Sequence, residues 1–196
     1  MWNEIFSKAP NWLTILRTVA IPVVIVIYLF PDSYLSIFEK NICATTVFIL
    51  ASITDWLDGY IARRYQMYSR FGEFLDPVAD KLLVCSVLII IVHLDRIHPI
   101  VAIIIIGREI AVSALREWMA NINQVIHVSA LGKWKTTLQL IGIILLLFYG
   151  KLFFIPAEYI IIIGKITIWI ATILTIISMF DYLHRSSKII QNKNIQ

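Results

Sequence analysis

Four aspartates, Asp55, Asp58, Asp76 and Asp80, lie in one short stretch between two long apolar runs. A carboxylate inside a bilayer is costly unless it is paired, hydrated or bound to a metal. Each residue of a helix turns about 100°, so Asp55 and Asp58 share one face, and so do Asp76 and Asp80. Two adjacent helices would bring four oxygen donors together. Carboxylates without Cys or His partners suit Mg²⁺ or Mn²⁺, so the spacing predicts a magnesium or manganese site.

The residues around the aspartates indicate space for a ligand that carries phosphate. Gly59 and Ala62 fall in the same helical sector as Asp55 and leave that face without bulky side chains. Arg63 adds a cation suited to a phosphate. The alternative is a polar turn between two helices, in which the aspartates cap helix N-termini.

The stretch fits the pattern D-x-x-D-G-x-x-A-R, eight further residues, then G-x-x-x-D-x-x-x-D, at every fixed position. It therefore resembles the signature of the CDP-alcohol phosphotransferases. That resemblance implies two divalent metals held by the four aspartates, with Asp80 also acting as the base that accepts the proton of the attacking alcohol. It implies homodimers, which are common in the family. It further implies that CDP-diacylglycerol contacts Gly59, Arg63, Ser69, Asn11 and Thr14.

Asn11 and Thr14 belong to a run at the start of the first predicted span that is similar to runs in the same family. Their other interpretation is that one of them caps that helix. Arg17 lies about one turn further inside, where it either snorkels to the interface or faces a polar cavity.

A second polar group, Arg108, Arg116, Lys133 and Lys135, is placed to hold another anion near the aspartates. Residues 107–110, 114–117 and 132–137 resemble the branch of the family whose acceptor is glycerol 3-phosphate. The lysines have an alternative role as topology-determining residues at a helix start. Arg108 has an alternative as a buried ion pair with Glu109. The aspartate signature alone does not separate glycerol 3-phosphate from serine, inositol phosphate or phosphatidylglycerol as acceptor.

The amino-acid composition predicts that the helices that position these residues span a membrane. The 196 residues are 59% hydrophobic, against about 45–50% in a soluble domain. We expect one all-α domain over residues 1–196, a polytopic membrane protein with six transmembrane helices after a short N-terminal interfacial segment. The predicted spans are residues 10–30, 42–62, 74–93, 99–119, 132–150 and 159–182.

The distribution of Lys and Arg predicts the orientation of these spans. Of the 17 basic residues, 13 lie on the side of the aspartate signature, and Lys40, Arg96, Lys151 and Lys165 lie on the other. The positive-inside rule places the signature and both termini in the cytoplasm, here of a bacterial inner membrane. We attribute the net charge of +4 to this topology and expect no nucleic-acid partner. An ion carrier is the alternative from another class, but its carboxylates would be spread along a pathway rather than gathered at one end.

Overall fold

The protein is built from helices. The computed structural model describes the backbone of residues 2–65, 70–122, 124, 130–151 and 154–193, and the side chains of residues 15–54, 78–122, 124, 132–151 and 154–189. These residues form six helices: α1 Trp2–Leu29, α2 Ile37–Tyr65, α3 Arg70–His93, α4 Pro99–Asn121, α5 Ala130–Phe148 and α6 Ala157–Lys193. The predicted all-α class is therefore confirmed.

The N-terminal segment differs from its prediction. The sequence predicts a separate interfacial segment before Pro10, whereas α1 runs without a break from Trp2 to Leu29. No glycine interrupts residues 2–9, and a single proline within a helix removes one backbone hydrogen bond without necessarily ending it.

Two helical stretches in the described part of the chain are long and apolar enough to cross a membrane. They are Ile37–Thr54 in α2 and Ala157–Ile189 in α6, and a shorter apolar stretch covers Ile15–Leu29 in α1. α4 carries four charged residues, Arg108, Glu109, Arg116 and Glu117, along its length.

The helices α5 and α6 form the most extensive contact in the bundle. A Cβ atom added at Gly142 of α5 would lie 3.1 Å from the backbone nitrogen of Ile168, and one at Gly164 of α6 would lie 3.1 Å from Leu145. Such small residues let two helix backbones approach closely, which is how helices associate where the surroundings are as apolar as the side chains.

The core of the bundle is apolar and includes buried side chains from all six helices. Phe48, Leu88, Ile91, Ile105 and Leu146 are fully buried there. Each helix also exposes apolar side chains on its outer face.

The link between α3 and α4 places an arginine inside the bundle. Asp95 has a left-handed backbone (φ 54°), and the backbone N–H groups of Asp95 and Arg96 donate to the carbonyls of Val92 (2.9 Å) and Ile91 (3.1 Å). This pair of bonds is a Schellman motif, which ends a helix and satisfies its last carbonyls. It turns the chain so that Arg96, only 3% exposed, lies in the interior.

Arg96 joins the ends of several helices through neutral acceptors. Its Nη1 donates to the carbonyls of Leu146 and Leu147 at the end of α5, each at 2.9 Å. Its Nη2 donates to Asn41 Oδ1 of α2 at 2.7 Å, and Tyr28 of α1 donates its hydroxyl to the same oxygen at 3.0 Å. We call Tyr28, Asn41, Arg96 and Tyr149 the Arg96 cluster.

Stacking completes the Arg96 cluster. The guanidinium carbon lies 4.3 Å from the ring centre of Tyr149, a cation–π distance. Burial lowers the pKa of Arg96 from its ordinary value, and the neighbouring Tyr28 opposes this shift. An arginine pKa lies so far above neutrality that the side chain keeps its charge.

We predict that Arg96→Met destabilises the protein by about 2–4 kcal/mol, because it leaves two α5 carbonyls and the Asn41 amide without their charged donor. The measurement is the thermal unfolding midpoint of the purified protein in detergent. Arg185→Met is the matched control, since Arg185 is half exposed and pairs with Asp181 on the surface of α6. Loss of such a surface pair costs at most about 1 kcal/mol. Equal midpoints for the two variants would show that the Arg96 cluster does not stabilise the bundle.

Candidate functional site

A polar cavity of about 170 Å³ lies between α3, α4 and α5. We call it the cationic cavity. Its walls come from three helices: Asp80, Lys81 and Val84 of α3, Arg108, Glu109 and Arg116 of α4, and Gly132, Lys135, Thr136 and Gln139 of α5.

Helical spacing explains why these side chains meet. On α5, residues 132, 135, 136 and 139 follow the i, i+3, i+4, i+7 pattern that keeps residues on one face. On α4, Arg108 and Arg116 are eight residues apart and therefore lie on the same side, two turns from each other. Asp80 and Val84 share a face of α3 at i and i+4. Three helix faces therefore enclose one polar space.

Glu109 organises the cations of the cavity. Lys135, only 2% exposed, donates to Glu109 Oε1 in a short ion pair. Arg108 Nη1 lies 3.6 Å from the same oxygen. Arg108 Nη2 also donates to Ser178 Oγ of α6 at 3.3 Å. The carboxylate thus fixes two cations from two helices at one place in the cavity wall.

The described walls carry an excess of positive charge. Lys81, Arg108, Arg116 and Lys135 supply four cations, against the two carboxylates of Asp80 and Glu109. The Nε of Arg108 is buried and has no hydrogen-bond partner among the described residues. A buried donor without a partner is costly, so a ligand with acceptor oxygens would stabilise this site. A phosphate group carries between one and two negative charges near neutral pH and fits both requirements.

The structure brings together most of the predicted acceptor residues and separates one. Arg108, Arg116 and Lys135 line the cationic cavity together with Asp80. Lys133 is exposed and is not among the residues that line the cavity. The predicted ion pair between Arg108 and Glu109 is present, but it forms part of the cavity wall, so the two interpretations of Arg108 are compatible.

The predicted metal and nucleotide residues fall largely outside the described side chains. Asp55, Asp58, Gly59 and Arg63 lie on α2, Asp76 lies on α3, and Asn11 and Thr14 lie on α1, as backbone positions only. Ser69 is outside the described residues altogether. Among the side chains that the structure does describe, no three His, Cys, Asp or Glu residues come together. Of the four signature aspartates, Asp80 alone has a described side chain.

The sequence predicts no role for Gln139, which lines the cavity. It is a polar residue within the apolar run that predicts the fifth membrane span. The spacing nevertheless predicts the position of Gln139. It follows Lys135 by four residues, which places both on the same face of α5.

The chain is similar to known proteins of one family. A family model described as CDP-alcohol phosphatidyltransferase matches residues 7–181. Three proteins named CDP-diacylglycerol–glycerol-3-phosphate 3-phosphatidyltransferase are similar to the chain. The protein from Haemophilus influenzae is 44% identical over 178 residues, covering 89% of this chain and 90% of the relative. That from Rickettsia bellii is 40% identical over 185 residues, covering 94% and 98%. That from Bacillus subtilis is 35% identical over 193 residues, covering 94% and 98%.

We predict that Arg116→Gln weakens the binding of inorganic phosphate about tenfold, equivalent to about 1.4 kcal/mol. This variant removes one cavity cation and leaves Glu109 with its partners Lys135 and Arg108, so folding should be preserved. The measurement is the rise in thermal midpoint with phosphate concentration at constant ionic strength.

Lys133→Gln is the matched control for this experiment, since it removes the same charge from an exposed position outside the cavity. It should leave phosphate binding within about twofold of wild type, because an exposed cation is strongly screened. Equal weakening in both variants would show that the effect is one of net charge, and would restore Lys133 to the anion site predicted from the sequence.

Proposed function

The chain belongs to the CDP-alcohol phosphatidyltransferase family, and we propose that it transfers the phosphatidyl group of CDP-diacylglycerol to sn-glycerol 3-phosphate, releasing CMP. The product is phosphatidylglycerophosphate, a step of phospholipid biosynthesis. One observation supports glycerol 3-phosphate as the acceptor within this family. Asp80, a signature aspartate, lines the same cavity as Arg108, Arg116 and Lys135.

The cationic cavity binds the phosphate of the acceptor. Glycerol 3-phosphate carries a phosphate of its own, in addition to the two phosphates of CDP-diacylglycerol. The enzyme therefore needs a second anion site besides the one for CDP-diacylglycerol. The excess of cations over carboxylates in the described walls matches this dianion in sign. Arginine donates in a planar fork that suits phosphate oxygens, and Lys135 adds a point charge. Glu109 acts as a positioning residue because it holds Lys135 and Arg108 in place.

The transfer step requires a base beside the bound acceptor. The free primary hydroxyl of glycerol 3-phosphate attacks the phosphorus that bears the lipid, and the bond from that phosphorus to the oxygen of CMP breaks. Asp80 takes the proton of the attacking hydroxyl, and CMP leaves with the electron pair of the broken bond. Holding the acceptor phosphate at the arginines brings its hydroxyl end toward Asp80, which supplies the orientation that such transfers depend on.

The four aspartates, Asp55, Asp58, Asp76 and Asp80, fit Mg²⁺ or Mn²⁺ by the chemistry of their donors, which are all carboxylate oxygens. We propose that they hold two such ions, which when bound neutralise charge on the phosphates of CDP-diacylglycerol. Binding of the CDP group by Gly59, Arg63, Ser69, Asn11 and Thr14 remains a prediction from the sequence.

We also propose a homodimer in a bacterial inner membrane, with all six helices spanning it and the aspartates on the cytoplasmic side. The apolar stretches of α2 and α6 and the distribution of Lys and Arg support this orientation. Light scattering that gave only the 22.6 kDa mass of one chain would contradict the dimer. A C-terminal reporter active outside the cytoplasm would contradict the orientation.

The test of the proposed function is acceptor-dependent release of CMP by the purified protein in detergent or lipid. CDP-diacylglycerol and Mg²⁺ are supplied with glycerol 3-phosphate, serine or inositol phosphate. We expect release with glycerol 3-phosphate, and its loss when the metal is chelated. Release with serine or inositol phosphate instead would keep the family chemistry and overturn the acceptor. An absence of release with any acceptor, from folded protein, would overturn the transferase function.

We further predict that Asp80→Asn lowers kcat by at least about 10³-fold, because the amide neither accepts the proton nor supplies a full negative charge. The measurement is CMP release at saturating substrates. Asp95→Asn is the control, since it makes the same chemical change in the link between α3 and α4, where Asn tolerates the left-handed backbone. Appreciable turnover by Asp80→Asn would exclude Asp80 as the base.

A further inference from the structure

Gln139 is a buried polar residue of the cationic cavity that the reaction described above does not use. It is 4% exposed, and it lines the cavity from the same face of α5 as Lys135. Its Oε1 has no hydrogen-bond partner among the described residues. Nearly all buried polar atoms in proteins are hydrogen-bonded, so an acceptor left over in a cavity wall points to a ligand that satisfies it.

The chemistry of Gln139 differs from that of its neighbours. Lys81, Arg108, Arg116 and Lys135 are donors with positive charge, and they suit the oxygens of a phosphate. Asp80 and Glu109 are carboxylates. The Thr136 hydroxyl donates to the backbone carbonyl of Gly132 at 3.0 Å. Gln139 therefore gives the cavity a neutral group that both accepts and donates hydrogen bonds.

A neutral carboxamide is complementary to an alcohol. A hydroxyl also donates and accepts, so it pairs with a glutamine amide in either of the two orientations that the amide can take. Lys135 and Gln139 are four residues apart, which places their Cβ atoms about 6 Å from each other on one helix face. This separation is short enough for a three-carbon phosphate ester to contact both side chains at once.

We propose that Gln139 binds the hydroxyl of the acceptor that does not react, the C2 hydroxyl of glycerol 3-phosphate, and so selects acceptors that carry this second hydroxyl. The inference rests on the proposed function and adds a specificity-determining residue to it. A site that hydrogen-bonds a substrate hydroxyl discriminates strongly against an analogue without it, because its own polar group is then left unpaired in the complex.

The test compares two acceptors, glycerol 3-phosphate and 3-hydroxypropyl phosphate. The second keeps the phosphate and the reacting primary hydroxyl and lacks only the C2 hydroxyl. We expect wild type to prefer glycerol 3-phosphate by about 10- to 100-fold in kcat/KM for CMP release, the factor that corresponds to one neutral polar group left unpaired. In Gln139→Leu, kcat/KM with glycerol 3-phosphate should fall by that factor, whereas kcat/KM with 3-hydroxypropyl phosphate should change little. The ratio of the two kcat/KM values should therefore fall to within about threefold of one. The KM for CDP-diacylglycerol should not change.

Two further measurements separate this role from a structural one. Without substrate, Gln139→Leu should unfold at the wild-type temperature or above it, because the variant removes a buried acceptor that has no described partner. Gln139→Met, another apolar side chain of similar size, should reproduce the loss of selectivity. Thr137→Val is the matched control, since Thr137 lies on the same helix but is exposed and does not line the cavity; it should leave the ratio between the two acceptors at the wild-type value.

The possible outcomes distinguish failure of the proposed role of Gln139 from failure of the proposed function. A wild-type ratio in active Gln139→Leu overturns the role of Gln139 and leaves the proposed function standing. An equal loss with both acceptors also overturns it, since Gln139 would then contact the phosphate or support the fold. If wild type itself shows no release with glycerol 3-phosphate, the proposed function fails and the inference fails with it.

Discussion

The guanidinium of Arg96 is the interaction on which the arrangement of the helices depends. It is buried where α1, α2 and α5 meet the link from α3 to α4, and all its described acceptors are neutral oxygens of other helices. The carbonyls that it caps end α5, and the Asn41 oxygen that it shares with Tyr28 joins α1 to α2. Lys40 of α2 also donates a hydrogen bond to the carbonyl of Phe30, just after the end of α1, at 2.5 Å. One end of the bundle is thereby fixed in position.

The cationic cavity lies further along the same helices. Arg108 follows Pro99, the first residue of α4, by nine residues, which corresponds to about 14 Å along the helix axis. The two sites treat charge differently. At Arg96 both terminal nitrogens, Nη1 and Nη2, donate to acceptors within the protein, and this gives rigidity. At the cavity, Glu109 compensates only part of the positive charge, and Arg108 Nε and Gln139 Oε1 lack described partners. A fully satisfied site needs no ligand, whereas a partly satisfied one favours a ligand that completes it.

The sequence predicts the features that are encoded locally. Apolar runs give the number and order of the helices and most of their ends to within about five residues, but α1 begins eight residues before its predicted span and α6 ends eleven residues after its own. The i, i+4 and i, i+8 spacings bring Arg108, Arg116 and Lys135 to one place. The resemblance of residues 132–137 assigns both Lys133 and Lys135 to the acceptor, but positions two residues apart on a helix are separated by about 200°, so the two lysines face different directions. Arg96 was counted only as a charge of the outer loop, because its bonds to Leu146 and Leu147 span about fifty residues and leave no local pattern. Gln139 likewise leaves no local pattern in the sequence. It is one polar residue in an apolar span, and the cavity that it lines forms only when α3, α4 and α5 come together.

The division of the site between helices explains how one reaction can serve different acceptors. In the proposed mechanism the aspartate signature, on α2 and the first part of α3, performs the transfer that the family shares. In that mechanism the acceptor is bound mainly by α4 and α5, and Asp80, which belongs to the signature, also lines the cationic cavity. Because α4 and α5 carry no signature aspartate, substitutions at Arg108, Arg116 or Gln139 would alter which alcohol binds without disturbing the metal ligands. On this proposal a few side chains on two helix faces select the acceptor, because the cations and the carboxamide of Gln139 that line the cavity are complementary to an alcohol that carries a phosphate and a second hydroxyl.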